Sequence, residues 1–184
     1  MKRTQLTELE ECTVGLVWRD GPMTAYEIAR TFATSLSSYW SGSAGAIYPM
    51  VKRLQRRGLI RGKRTGRRVR FEVTAGGLRA IRSWLRPPFA SSVGGPTFDP
   101  VRTRLFFIGA LPRSQWNAVI DGAVDVVSGE LVRAGEKRKE DLASENISEA
   151  IGALGVIYEL RARLQWLRAV RVLLRDDSVA RRLQ

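Results

Sequence analysis

Apolar positions in the first half of the chain recur with helical spacing and are interrupted by turn chemistry. Leu9, Cys12, Leu16 and Val17 form one stripe. Thr7 with Glu10 opens it as a capping box, and Asp20-Gly21-Pro22 closes it. A second capping box, Thr24 with Glu27, opens a helix to about Thr34 whose inner face is Ala25, Ile28, Ala29 and Phe32. Ser35 to Gly42 is serine-rich and reads as a loop in which Tyr39 and Trp40 pack. A third helix is predicted over Ser43–Arg57, with Ser43 as cap, Ile47, Val51 and Leu54 facing inward, and Gly58 as its stop. Pro49 lacks an amide proton, so it should bend this helix or shift its start.

The period then changes from helical to two. Leu59 to Arg64 reads as a strand and Thr65-Gly66 as a tight turn. In Arg67–Val73 the residues Val69, Phe71 and Val73 take one face and Arg68, Arg70 and Glu72 the other. Thr74 caps a fourth helix that buries Leu78, Ile81 and Leu85 with Trp84 beside them, although Gly76 and Gly77 weaken its start. Prolines and glycines then crowd between Arg86 and Pro100. The division predicted is a domain over 1–86, a linker over 87–100 and a second domain over 101–184.

In the second half, the apolar run Leu105-Phe106-Phe107-Ile108 should be buried. Trp116, Val119, Ile120, Ala123, Val127 and Leu131 mark an amphipathic helix, which continues into a solvated charge run from Glu136 to Asp141. The last helix carries a heptad seam, Ala150, Ala153, Ile157, Leu160, Leu164, Leu167 and Leu174, interrupted by Arg171. A second stripe, Ile147, Ile151, Leu154, Tyr158, Trp166, Val170 and Leu173, widens the apolar surface. Two helices of one chain cannot easily cover both stripes, so a second subunit is expected. Ile157, Leu160, Leu164, Leu167 and Leu174 are the candidate dimerisation residues; an intramolecular helical hairpin is the alternative. The fold class is thus mainly α with a small β-hairpin. It comprises a winged helix-turn-helix N-terminal domain and a C-terminal helical, coiled-coil-like dimerisation domain.

Charge sharpens this picture. The 184 residues carry a net +13, and residues 1–86 hold 17 Lys or Arg against 6 Asp or Glu, a net +11. Ten cations and no acid lie between Lys52 and Arg70. A single-sign run repels itself unless an anion answers it, so a nucleic acid is the expected partner. The lone Cys12 sits on an apolar stripe and excludes a disulfide framework within one chain; no histidine is present to act as base or metal ligand. No catalytic constellation, cofactor motif or metal site is visible, so an enzyme is the poorest fit. With no long apolar run and no leader-like start, the protein is expected to be cytoplasmic and to make no membrane contact.

Three helices, a basic hairpin and a further helix make a winged helix. Its third helix would enter the major groove while the wing follows a phosphate backbone. The order Leu9…Leu16, Gly21-Pro22, Tyr26-Glu27-Ile28, Trp40, Gly45-x-Ile47-Tyr48-Pro49, Lys52-Arg53-Leu54, Gly58-Leu59-Ile60 and Val73-Thr74-x-Gly76-Gly77 resembles the PadR family of bacterial transcriptional regulators, over about residues 6–86. The resemblance implies a dimeric winged-helix repressor that carries a helical C-terminal dimerisation region and uses Tyr48, Lys52 and the wing cations on operator DNA. Where the family often has proline, glycine and serine before the tyrosine, this chain has Ala44-Gly45-Ala46 and lacks that hydroxyl. Where the family wing often pairs aromatics, it has Val69 and Phe71.

The candidate contacts to double-stranded DNA are Tyr26, Ser43, Gly45, Ala46, Tyr48, Lys52, Arg53, Arg56, Lys63, Arg64, Arg67, Arg68 and Arg70. A homodimer would present two copies to an inverted-repeat operator. Trp116, Tyr158 and Trp166 are candidates to line an intersubunit cleft for a small aromatic effector, against the simpler reading that they are core. Two other functions fit the charge: a non-specific architectural nucleic-acid-binding protein, and a module whose wing grips an acidic protein.

Overall fold

The computed structural model describes residues 6–36, 40, 44–96 and 98–183. The chain divides into two compact units, Met1–Gly95 and Pro96–Gln184.

In the first unit, α1 (Glu8–Asp20) and α2 (Ala25–Ala33) begin at the capping boxes read from the sequence. The Thr7 and Thr24 hydroxyls accept from the amides of Glu10 and Glu27, whose carboxylates accept from the threonine amides in return. Trp40, expected in a loop, is helical, and its ring lies 5.8 Å from that of Phe32. Tyr39 and Ser43 lie outside the described residues. A 3-10 turn, Ala44–Ala46, leads into α3 (Ile47–Arg56), so the α-helix starts later than the sequence suggested. Pro49 explains the shift: as the third residue of α3 it occupies the first turn, where amides have no helical acceptor in any case.

Strands β1 (Ile60–Thr65) and β2 (Arg68–Val73) pair antiparallel from Ile60 opposite Val73 to Thr65 opposite Arg68. The turn is therefore Gly66-Arg67, one residue later than expected, and Gly66 supplies its φ of 61°. Met23 and Phe71 exchange backbone hydrogen bonds of 3.1 and 2.6 Å, tying the α1–α2 junction to the wing. Val69, expected inside, is exposed near the hairpin tip, whereas Phe71 is buried. Helix α4 (Ala75–Trp84) is capped by Thr74 and closes the unit. One core holds Val14, Val17, Ile28, Phe32, Ile47, Met50, Val51, Leu54, Ile60 and Ile81.

The second unit is built on α6 (Trp116–Ala143) and α7 (Ile147–Leu174), each 28 residues, which form a helical hairpin about 42 Å long. It also contains α5 (Pro100–Leu105), capped by Asp99, and α8 (Asp177–Leu183). Trp116, Ile120, Val127 and Ala134 of α6 are buried together with Ala150, Ala153, Ile157, Leu160 and Leu167 of α7. Arg171, the break in the seam, is ion-paired with Asp121 of α6. Ile108, Trp116 and Ala180 form a cluster with Leu105, Val119 and Leu174 packed on it.

Two expectations are corrected here. Of the run Leu105–Ile108, only Ile108 is buried; Phe106 and Phe107 are 74% and 69% exposed because the chain turns after α5. The charge run on α6 is not wholly solvated, since Asp141 is 3% exposed and held by Lys137.

Candidate nucleic-acid interface

Helix α3 and the wing carry the cations. In α3 the buried Ile47, Met50, Val51 and Leu54 fix the rotation of the helix. That rotation leaves Tyr48, Lys52 and Arg56 exposed. Gly45 and Ala46 are exposed just ahead of them. Helix α3 has no side-chain cap, in contrast to α1, α2 and α4. Its first-turn amides thus have no side-chain acceptor at the cap position. Tyr26 is exposed on the first turn of α2. Lys63, Arg64, Arg67 and Arg68 are exposed along the strands and tip of the wing.

Arg53 and Arg70 are placed differently. Glu10 is 6% exposed, and its carboxylate receives Arg53 at 3.4 Å and Arg57 at 3.5 Å. Arg70 donates to Glu27 at 3.3 Å and to the Pro22 carbonyl at 2.7 Å. Hydrogen bonding from the Thr24 amide, with help from the Thr24 hydroxyl and the nearby Arg70 and Arg68, holds the Glu27 carboxyl below its usual range. Arg61 pairs with Glu72 across the hairpin at 3.1 Å. Among the described residues no carboxylate lies within ion-pair distance of Lys52, Arg56, Lys63, Arg64, Arg67 or Arg68. The capping-box motif revealed both glutamates in the sequence, but not their second set of partners, which come from residues about 43 positions away.

The residues predicted to dimerise serve inside the chain. Ile157, Leu160 and Leu167 are buried in the hairpin, and Leu164 and Leu174 are half-buried. The second stripe is the outward one: Ile147, Ile151, Tyr158 and Leu173 are exposed, and Leu154, Trp166 and Val170 half-buried. The three candidate effector residues differ in setting. Trp116 is core, with its indole N–H donating to the Leu111 carbonyl at 3.0 Å, whereas Tyr158 is 64% exposed beneath the Arg161 guanidinium. An open cavity of about 850 Å³ lies instead in the first unit, beside Trp84, Phe89, Arg57 and Arg79. Among the described residues no helix is long and apolar enough to cross a membrane, and no three candidate ligands cluster for a metal.

A helix-turn-helix with a basic wing, followed in the chain by a long helical hairpin, defines a winged-helix fold class. Residues 15–83 match the model of the transcriptional regulator PadR-like family, so this segment is similar to the PadR-like winged helix. Solved structures agree over most of the length. PadR of Bacillus subtilis in complex with operator DNA is 19% identical, covers 92% of this chain and 98% of its own, and superposes with a TM-score of 0.75. The same protein with p-coumaric acid gives 19% identity, coverage of 91% and 99%, and a TM-score of 0.73. The Vibrio cholerae virulence activator AphA gives 16%, coverage of 91% and 98%, and 0.70. Comparison of the sequence with curated proteins finds no match.

Proposed function

We propose that this chain is a homodimeric regulator of transcription that binds an inverted-repeat operator as a repressor. Residues 1–86 serve as the DNA-binding domain, 87–100 as linker and 101–184 as the dimerisation domain. The observation that carries this is the run of exposed cations on α3 and the wing of a winged helix. The B. subtilis structure with operator DNA supports the choice of partner. Tyr48 and Lys52 at the start of α3 read base edges, with Gly45 and Ala46 letting the backbone approach. Lys63, Arg64, Arg67 and Arg68 hold phosphates. In the dimer the outward stripe of α7, Ile147, Ile151, Leu154 and Tyr158, packs against its counterpart.

A small aromatic effector is the finer part of the reading, supported by the B. subtilis complex with p-coumaric acid. Tyr158 and Trp166 on the outward stripe of α7 are its contacts, and Trp116 is core. An aromatic acid that neither quenches tryptophan fluorescence nor alters operator binding removes this part alone.

The test of the main reading is selection of bound sequences from a random duplex library. An inverted repeat preferred over random duplex by at least about 10³ at fixed salt is the expected result. Uniform binding would instead mark a non-specific architectural protein, and no binding at physiological salt would leave the acidic-protein partner. On the selected site, replacing Arg67 and Arg68 together by Gln should weaken all duplexes alike and flatten the salt dependence by about two units. Tyr48→Ala should penalise the preferred site most.

A further inference from the structure

Both capping-box glutamates, on α1 and α2, reach out of their own helices to arginines of α3 and the wing. Glu10 of α1 takes Arg53 and Arg57 at the end of α3, and Glu27 of α2 takes Arg70 of β2. A third acid, Glu72, takes Arg61. Each capping-box carboxylate serves both its cap and an arginine. In Glu10, Oε2 accepts from the Thr7 amide at 3.1 Å and also pairs with Arg57 at 3.5 Å, while Oε1 faces Arg53. In Glu27, Oε2 accepts from the Thr24 amide at 2.7 Å while Oε1 faces Arg70.

We infer that Glu10 and Glu27, with Glu72 on the wing, are positioning residues that act as internal counter-ions, dividing the ten-cation run into two sets. Arg53, Arg57, Arg61 and Arg70 brace the fold and neutralise no phosphate, whereas Lys52, Arg56, Lys63, Arg64, Arg67 and Arg68 form the phosphate-facing set. This rests on the DNA-binding reading above and refines it. A buried carboxylate that lost its arginines would be left uncompensated, so the pairs around Glu10 resist exchange for a solvated phosphate. The geometry has a second consequence. Because Arg53 and Arg57 are both drawn toward α1, the end of α3 is pinned by charge as well as by the buried Leu54.

The number of released counterions reads this division directly, at about 0.9 per neutralised phosphate. The experiment uses full-length protein and a fluorescein-labelled random-sequence duplex, and measures the slope of log affinity against log salt together with the melting temperature without DNA. Arg56→Gln and Arg67→Gln should each flatten the slope by about one unit per protomer and leave melting unchanged. Arg53→Gln combined with Arg57→Gln, and separately Arg70→Gln, should leave the slope unchanged and lower melting by a few degrees. Glu10→Gln is the decisive variant, because glutamine retains the capping box while losing the charge. It should steepen the slope by up to about two units as Arg53 and Arg57 are released, a change that a purely structural role would not produce.

If the wild type binds and the Arg53/Arg57 variant flattens the slope by about two units, the division is overturned. A Glu10→Gln protein with an unaltered slope overturns it as well. A wild type that ignores duplex defeats the underlying DNA reading instead, and the melting temperatures still decide the bracing role: Arg53, Arg57 and Arg70 variants that melt like wild type overturn it.

Discussion

At the scale of single residues, two positions read from the sequence behave differently once packed. Cys12 lies on the apolar stripe of α1 and is half-buried. Burial first, then the neighbouring Glu8 and Glu11, push its thiol up to about 11. At pH 8 the thiolate fraction is therefore small, and iodoacetamide should alkylate native Cys12 on the order of a hundredfold more slowly than an ordinary exposed thiol. Mass spectrometry of timed samples, with urea-unfolded protein as reference, measures the ratio; equal rates in both states would contradict the packing. The stripe alone was enough to place Cys12 against the core. Glu10 was less legible. Its place three residues after Thr7 marks a cap, but its burial depends on Arg53 and Arg57 arriving from α3, which no local pattern encodes.

At the scale of elements, propensity and packing disagree at the start of α4. Gly76 and Gly77 look like a weak helix start, and by propensity alone Gly→Ala there would stabilise by up to about 1 kcal/mol. A Cβ on Gly77 would instead meet the Leu59 carbonyl oxygen at 2.1 Å and Val73 Cγ2 at 2.7 Å. Gly77→Ala should therefore destabilise by roughly 1–3 kcal/mol in chemical denaturation. Gly15→Ala in α1, where nothing lies within 4 Å, should stabilise by up to about 1 kcal/mol. Opposite signs are expected, and two stabilising changes would show that the α4 junction yields. The hairpin and helices were legible because their periods are local. The glycine was misread because its reason is a backbone on another element, Leu59, 18 positions earlier in the sequence.

At the scale of the whole molecule, α7 offers two apolar stripes to two kinds of partner, and the question is which stripe meets which. Periodicity identifies both, and the more regular heptad seam, Ile157, Leu160 and Leu167, is the one buried within the chain. The reason lies in the connection. Only three residues, Ser144-Glu145-Asn146, separate α6 from α7, so the hairpin closes within the chain before any second copy is met. On the dimer reading, the outward stripe is the remaining surface for a second chain. The two stripes then predict different losses. Leu167→Ala, at a fully buried position, should cost about 2–5 kcal/mol of folding stability. Ile151→Glu with Tyr158→Glu changes exposed positions, so helix content and the winged helix should be retained while light scattering reports a monomer. A monomeric variant should also keep its weak affinity for random duplex and lose most of its preference for an inverted repeat, because two half-sites are no longer held together. If that double variant remains dimeric, the chains meet through some other surface, and the exposed Phe106 and Phe107 become the next positions to change.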